Sequence, residues 1–169
     1  MNKEYPSRKN SNKEGKEFED MLTRQFNKYR KEGRMYCIKV PTEVVILRRG
    51  AKIVSAFPRA KSEALDYLGI LSTGECVTFE AKSSNNKTSF PLSQIKEYQF
   101  ELHKEIRNYT KLVFYIIRMK SLGRFFLVTS DEIDEFMNTS GRKSIPASML
   151  GVDIGIEMND LDVLKYLNF

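Results

Sequence analysis

The chain has 169 residues, of which 41% are hydrophobic, and its formal charge at pH 7 is +6. This length predicts one domain with a buried core, and eleven phenylalanines argue against a disordered chain. No segment approaches the roughly 18 consecutive apolar residues of a membrane span, and we expect neither a signal peptide nor a membrane anchor. Cys37 and Cys76 lack a metal-ligand spacing, so we expect reduced thiols in a cytoplasmic protein.

The charge is distributed unevenly along the sequence. Residues 1–61 contain 16 Lys and Arg against 7 Asp and Glu, whereas residues 62–169 contain 12 against 15. A basic first third on a mildly acidic body favours a polyanionic partner. A solvated surface that binds nothing would give the same counts, so charge alone leaves both interpretations open.

The N-terminal segment predicts a tail followed by a helix and a strand. Residues 1–10 predict a flexible basic tail, and residues 11–169 a single domain. The sequence SNKE at 11–14 has the form of a capping box, which would open a helix that ends near Gly33. Residues 34–40 then predict a strand.

A projecting β-hairpin, or stalk, is predicted at about residues 43–60. Two β-rich runs flank a turn at Gly50-Ala51, and the tip carries Arg48, Arg49 and Lys52. Such a cationic tip is either an ordinary surface feature or an arm that enters nucleic acid.

The remaining elements predict an α/β fold with a mixed central sheet flanked by helices. Residues 64–70 and 75–82 predict a second hairpin, and Pro91 is expected to open a helix that runs to about Arg107. Further along, the sequence predicts inner strands at 111–119 and 124–129, an acidic helix capped by Ser130, and a helix over 159–169.

The second hairpin carries the residues most suited to chemistry. Side chains alternate along a strand, so Glu80 and Lys82 share one face while Phe79 and Ala81 face the core. A hairpin that pairs Asp66 with Glu80 would place two hard oxygen ligands together, as Mg²⁺ requires. Lys82 could then orient a water or offset developing charge. A solvated Lys–carboxylate ladder is the alternative that this short motif leaves open.

Three further features favour a functional site. Gln99 falls within the apolar stripe of its helix and needs hydrogen-bond partners. Glu19, on the first helix, could supply another acidic ligand, although an exposed glutamate is the commoner case. The polar loop 83–89, which includes Lys87, suits phosphate contact. His103, the sole histidine, is expected to be structural.

The quoted residues resemble a known family. Four stretches are similar to motifs of the RecU Holliday-junction resolvases, within the PD-(D/E)xK nuclease superfamily: Asp66-Tyr67-x-Gly69, Phe79-Glu80-Ala81-Lys82, Phe90-Pro91-Leu92 and Gln99. Residues 15–19 and 40–47 resemble the first helix and the stalk entry of that family. The sequence departs from the family pattern at Ala64-Leu65 and at Ser83-Ser84.

The resemblance implies a restriction-endonuclease-like fold, a homodimer and cleavage of four-way DNA junctions with Mg²⁺, for which Mn²⁺ can substitute. Asp66 and Glu80 would be metal ligands and Glu19 an outer ligand, while Lys82 would orient water and Gln99 would support the site. The implied DNA contacts are Arg48, Arg49, Lys52, Arg59 and Lys87.

We therefore predict a nucleoid-associated endonuclease of recombination and repair, with a recombinase or branch-migration helicase as a further partner. One alternative is a related nuclease that acts on flaps, single strands or duplex DNA. Another alternative, of a different class, is a non-catalytic protein that binds branched DNA or a recombinase.

Overall fold

A six-stranded mixed sheet forms the centre of the computed structural model, which describes residues 8–59, 61–155 and 163–167. Three helices accompany it: α1 (Arg8–Lys31), α2 (Glu97–Ile106) and α3 (Ser130–Ser140). The strands are β1 (Met35–Lys39), β2 (Val44–Arg49), β3 (Lys52–Pro58), β4 (Tyr67–Leu71), β5 (Cys76–Ser84), β6 (Ser89–Pro91), β7 (Leu112–Met119), β8 (Arg124–Thr129), β9 (Ser144–Pro146) and β10 (Val152–Gly155).

The central sheet has the strand order β1-β4-β5-β7-β8-β10. Strands β5 and β7 pair in parallel, and every other neighbouring pair in this sheet is antiparallel. A parallel pair needs a crossover connection, and here the crossover contains α2. The predicted mixed sheet with flanking helices is confirmed.

Helices cover both faces of the sheet because its central strands are apolar on both sides. Phe18, Leu22 and Phe26 of α1 pack with Phe79 and other residues of one face in one buried cluster. A second buried cluster, on the opposite face, joins β7 and β8 to α3 and to the segment before α2. The alternation along β5 therefore points Phe79 toward α1 and Glu80 toward α2.

The stalk forms as predicted. Strands β2 and β3 pair antiparallel and form their own two-stranded sheet, outside the central one. The turn between them contains Gly50 at a φ of 64°, a left-handed conformation that glycine adopts without steric cost. Both strands are largely exposed, including apolar side chains such as Ile46, Val54 and Phe57.

Several predicted boundaries are wrong. Helix α1 begins at Arg8, so Ser11 lies within the helix and is not its N-cap. Pro91 ends the short strand β6, which pairs with β9, and α2 begins only at Glu97. The N-cap of α3 is Thr129, whose side chain accepts a hydrogen bond from the Glu132 amide, and Ser130 is the first helical residue.

Two predicted terminal segments fall partly outside the described residues. Residues 1–7 of the predicted tail are among those not described. Of the helix predicted over 159–169, the described part is a 3₁₀ helix at Val163–Tyr166. In the described ranges, no helix is both long enough and apolar enough to cross a membrane.

Candidate active site

The hairpin register brings Asp66 and Glu80 together. Tyr67 pairs with Phe79, so Asp66, the residue before β4, lies beside Glu80 on β5. The Asp66 Oδ2 accepts a hydrogen bond from the Ala81 amide at 3.1 Å, which fixes this carboxylate against the edge of β5. Burial raises the pKa of the Glu80 carboxyl, and the charge of the neighbouring Asp66 contributes further to this rise. The predicted pairing of these residues is confirmed.

Lys82 and Gln99 complete a buried network around Glu80. The Lys82 Nζ lies 3.0 Å from Glu80 Oε2 and donates to Gln99 Oε1 at 2.9 Å. The Gln99 Nε2 donates to the same Glu80 oxygen at 3.0 Å. Because Glu80 is only 2% exposed and Gln99 only 8%, these bonds are shielded from solvent. This network differs from the solvated ladder that the sequence left open.

Helix α2 holds Gln99 through its first turn. The Gln99 Oε1 accepts a hydrogen bond from the Lys96 backbone amide at 3.2 Å, in addition to the one from Lys82. An amide at the start of a helix otherwise lacks an intrahelical partner, so this contact caps the helix and fixes the side chain. One glutamine therefore fixes the start of α2 and binds the Glu80–Lys82 pair.

Burial dominates the electrostatics of Glu80. Removal from water raises the pKa of this carboxyl, the neighbouring Asp66 adds to the rise, and the Lys82 ammonium opposes it. The net effect raises the pKa to about 8. The site therefore favours a further positive charge beside the two carboxyl groups, either a proton or a cation.

The donor set of Asp66 and Glu80 fits a hydrated divalent cation. Mg²⁺ is commonly bound through one or two carboxylates, with its other positions filled by water and substrate phosphate. Within the described ranges, no group of three or more His, Cys, Asp or Glu is placed to hold a metal. Glu19 forms an ion pair with Lys39, so a role as outer ligand would require release from that lysine.

The predicted DNA-binding residues lie in three different places. Arg48, Arg49 and Lys52 are exposed at the stalk tip, and Lys87 is exposed in the loop that follows β5. Arg59, at the base of the stalk, forms ion pairs with Glu43 at 2.6 Å and Glu63 at 3.3 Å. The fold therefore does not gather these cations around Glu80.

His103 is structural, as predicted. It is fully buried on α2, its Nδ1 lies 2.6 Å from Ser130 Oγ on α3, and its ring stacks on Tyr115 at 4.1 Å between centroids. Burial lowers its pKa to about 3, and the Lys82 and Arg107 charges add to this effect. The imidazole is therefore neutral and links α2, α3 and β7.

Tyr98 immediately precedes Gln99 on α2 and is not among the predicted site residues. Burial raises the pKa of its phenol; Glu80 and Asp66 raise it further, and Lys82 lowers it. The side chain also lines a cleft of about 1110 Å³ between the stalk base and α2, with Arg59 and Lys61. In the sequence, the only indication that Tyr98 lies near the network was its position next to Gln99.

Comparisons with known proteins agree with one another over most of the chain. The family model described as Recombination protein U, RecU, matches residues 13–169. The Holliday junction resolvase RecU of Geobacillus sp. (strain WCH70) is 31% identical over 155 residues, which are 86% of this chain and 77% of the relative. The protein of the same name from Pediococcus pentosaceus is 31% identical over 161 residues, covering 88% and 79%.

One solved structure is similar in outline. It is the 1.6 Å resolution structure of Archaeoglobus fulgidus Hjc, a Holliday junction resolvase from an archaeal hyperthermophile. The TM-score is 0.47 and the identity 13%, with 86% of this chain and 99% of that chain covered. At this TM-score and identity, the structural similarity supports no conclusion beyond those drawn from the RecU relatives.

Proposed function

We propose that this chain, which belongs to the RecU family, is an endonuclease that resolves Holliday (four-way) junctions during recombination and repair. The observation that carries the proposal is the position of the half-buried Asp66 beside the Glu80–Lys82–Gln99 network, in which Glu80 and Gln99 are buried. Burying the Glu80 carboxyl with an ammonium and an amide is costly, and hydrolysis of a phosphodiester would give this arrangement a function.

In the proposed reaction, Asp66 and Glu80 would hold Mg²⁺ or Mn²⁺, and the bound ion would lower the pKa of water and offset charge on the phosphate. Lys82 orients the attacking water and stabilises negative charge that develops in the transition state. Gln99 fixes Lys82 and Glu80 relative to each other. The water oxygen would form the new P–O bond and lose a proton to solvent, while the bond to the 3′ oxygen breaks and that oxygen takes a proton from solvent water. The products would be a 5′-phosphate and a 3′-hydroxyl.

A cleavage assay on a mobile four-way junction in Mg²⁺ tests the proposal. We expect Asp66→Asn and Glu80→Gln each to abolish cleavage while junction binding is retained. Glu135→Gln, the same change at an exposed position on α3, is the matched control and should cleave normally. Wild-type turnover by Glu80→Gln, or wild-type cleavage that survives a chelator, would contradict the proposed metal chemistry.

Matched substrates separate this function from its alternatives. Four-way, flapped, single-stranded and linear duplex DNA are compared at one salt concentration, because charge-driven binding is strongly salt-dependent. We expect paired nicks on the four-way junction first. Preference for a flap or duplex would indicate a related nuclease, and binding without any cleavage would indicate a non-catalytic protein.

The stalk tip and the loop after β5 are proposed to bind junction phosphates. Arg48, Arg49 and Lys52 are exposed and project from the central sheet, and Lys87 is exposed beside the active-site strand. Replacing the three tip cations by Ala should weaken junction binding more than duplex binding. The slope of the logarithm of the binding constant against the logarithm of the salt concentration should also fall by about one per lost phosphate contact. Equal losses on both substrates would contradict a junction-specific stalk.

Cleavage of two opposed strands of a four-way junction needs two active sites, so we propose that the protein forms a homodimer. Tyr36, Ile38, Leu68 and Ile70 form an apolar quartet on one face of β1 and β4, where Tyr36 pairs with Ile70 and Ile38 with Leu68. Each is about half exposed on the chain alone. A second copy would bury this patch, since such contiguous apolar surface is typical of interfaces.

Sedimentation tests the dimer with Ile70→Lys, which should favour the monomer. Met149→Lys, at an exposed apolar residue outside the quartet, is the control and should leave the oligomeric state unchanged. A monomeric wild-type protein that still makes paired nicks would contradict this arrangement. A recombinase or branch-migration helicase, and a location at the nucleoid, remain proposals that follow from the substrate.

A further inference from the structure

Asp66 lies at the point where the pairing of β4 with β5 stops. Tyr67 and Phe79 are the last pair of this ladder on the Asp66 side, and Asp66 itself lies outside both strands. Strand β5 continues past this pair to Ser84. The Ala81 amide lies beyond the ladder, and it donates to the Asp66 carboxylate instead of to a carbonyl of β4. The position of this carboxylate therefore depends on a short segment that the ladder does not hold.

The Thr78 hydroxyl holds the residue that follows Asp66. Its Oγ1 donates a hydrogen bond to the Tyr67 carbonyl oxygen at 2.8 Å, and the side chain is only 5% exposed. Alternation along β5 puts Thr78 on the same face as Glu80, toward α2. A hydrogen bond that is shielded from water is a stronger constraint than one on the surface. Thr78 therefore ties the Asp66 segment to the strand that carries Glu80.

Backbone amides supply two further hydrogen bonds to Asp66. The Val40 amide, just after β1, donates to the Asp66 carbonyl oxygen at 2.8 Å, and the Ala81 amide donates to the carboxylate at 3.1 Å. Both donors belong to the main chain, so they are present whatever the side chains are. Thr78 contributes a side-chain bond to the same segment. Its replacement therefore tests this clamp while both backbone donors remain in place.

We propose that Thr78 is a positioning residue for the metal site, whose hydroxyl holds the Asp66 segment so that the Asp66 and Glu80 carboxylates can bind one divalent ion. This inference rests on the proposed function. Thr78 acts through Asp66 and touches neither the ion nor DNA. A carboxylate that becomes fixed only on metal binding loses conformational entropy at that step, and a clamp in the free protein removes this loss. Loss of the hydroxyl should therefore weaken metal binding.

The variant Thr78→Val removes the hydroxyl and keeps the branched shape of the side chain. Titration calorimetry with Mn²⁺ alone, without DNA, should show binding weakened by about fivefold, the factor that one hydrogen bond of ordinary strength represents. Cleavage of a four-way junction should need a correspondingly higher Mg²⁺ concentration. The rate at saturating Mg²⁺ should match that of the wild type, because Thr78 does not touch the reacting atoms.

Hydrogen exchange of the Ala81 amide gives a readout that needs neither metal nor cleavage. In the wild type this amide is protected by its bond to Asp66 Oδ2, and local opening of the Asp66 segment exposes it. In Thr78→Val, its exchange measured by NMR without metal should become about fivefold faster, since one hydrogen bond that opposes this opening is lost. The amides of β7 and β8 should exchange as in the wild type.

Further variants separate the hydroxyl from the packing of the side chain. Thr78→Ser keeps the hydroxyl and loses the methyl group, so both metal affinity and the protection of Ala81 should be retained. Thr110→Val is the matched control, because Thr110 Oγ1 also donates to a carbonyl of β5, that of Cys76, the first residue of the strand. This control should bind Mn²⁺ as the wild type does. Should Thr78→Val fail to fold, Thr78→Ser and Thr78→Ala make the same comparison, because they differ by the hydroxyl alone.

The outcomes distinguish this inference from the proposed function. If the wild type binds Mn²⁺ and cuts junctions and Thr78→Val does both equally well, the inference is refuted and the nuclease stands. Equal losses of metal affinity in Thr78→Ser and Thr78→Val also refute it, because packing of the methyl group would then be the cause. Faster exchange at Ala81 with unchanged Mn²⁺ affinity refutes it as well. If the wild type binds no Mn²⁺ and cuts no DNA, the proposed function fails and the inference fails with it.

Discussion

Acidification should destabilise this protein through His103, and the size of the effect follows from its burial. The imidazole is fully buried between α2, α3 and β7, and its pKa is lowered from an ordinary 6.5 to about 3. As the pH falls, the unfolded chain takes up this proton first. The stabilisation is therefore present above pH 6.5 and is lost as the pH falls toward 3.

One pKa unit of difference is about 1.4 kcal/mol, and the loss between pH 7 and pH 5 comes to about 2 kcal/mol. Glu80 acts in the opposite direction over this range. Its raised pKa means that the folded state takes up that proton first, so its contribution favours folding as the pH falls. The wild-type pH profile alone therefore does not report on His103.

A His103→Phe variant isolates the histidine. Phenylalanine retains a ring that can stack on Tyr115, while the titration is lost. Urea denaturation at pH 7, 6 and 5 gives the free energy of unfolding for both proteins, and Glu80 cancels in the comparison. The wild type should lose about 2 kcal/mol more than the variant between pH 7 and pH 5. Parallel profiles would refute the reasoning, because they would mean that His103 protonates equally well in the folded state.

Other substitutions test the site and the fold. Gln99→Leu removes both hydrogen bonds that hold Lys82 and Glu80, so single-turnover cleavage should fall at least tenfold; an unchanged rate would remove Gln99 from the site. Gly69→Ala would place a methyl group 2.9 Å from the Tyr36 carbonyl oxygen and should lower the free energy of unfolding by about 1–3 kcal/mol. Gly15→Ala, in helix α1, places its new carbon more than 4 Å from all atoms other than the adjoining residues and the nearby helix backbone. It should instead be neutral or stabilising in the same denaturation series. Thr129→Ala removes the side-chain cap of α3 and should lower the free energy of unfolding by about 1 kcal/mol. An unchanged free energy on chemical denaturation would indicate that Glu132 caps the helix alone.

The site was predictable where one local rule determined the geometry. Strand alternation placed Glu80 and Lys82 on one face, and the short turn after β4 fixed Asp66 opposite Glu80. The position of Gln99 in an apolar stripe correctly indicated that it needed partners. Its actual partners depend on how α2 crosses the sheet, which is a tertiary arrangement that spacing does not encode.

The predictions were wrong where strands are very short, or where pairing between distant segments overrides a local sequence signal. Pro91 has the form of a helix start, but residues 89–91 pair with 144–146, far along the chain, and the helix begins later. Strands of three or four residues, such as β9 and β10, carry too little periodicity to detect. The role of Glu19 as an outer ligand stays a prediction, and the fold pairs this residue with Lys39.

The parallel pairing of β5 with β7 ties catalysis to the order in which the chain assembles. Residues 77–84 pair with residues 112–119, and the intervening crossover carries Gln99. Closing this loop costs entropy before the pairing repays it, so we expect this step to come late in folding. A nascent or partly unfolded chain can thus form the Asp66–Glu80 hairpin without the amide that completes it. In the proposed mechanism, cleavage therefore depends on the closed sheet, because the crossover helix α2 brings Gln99 to Glu80 and Lys82.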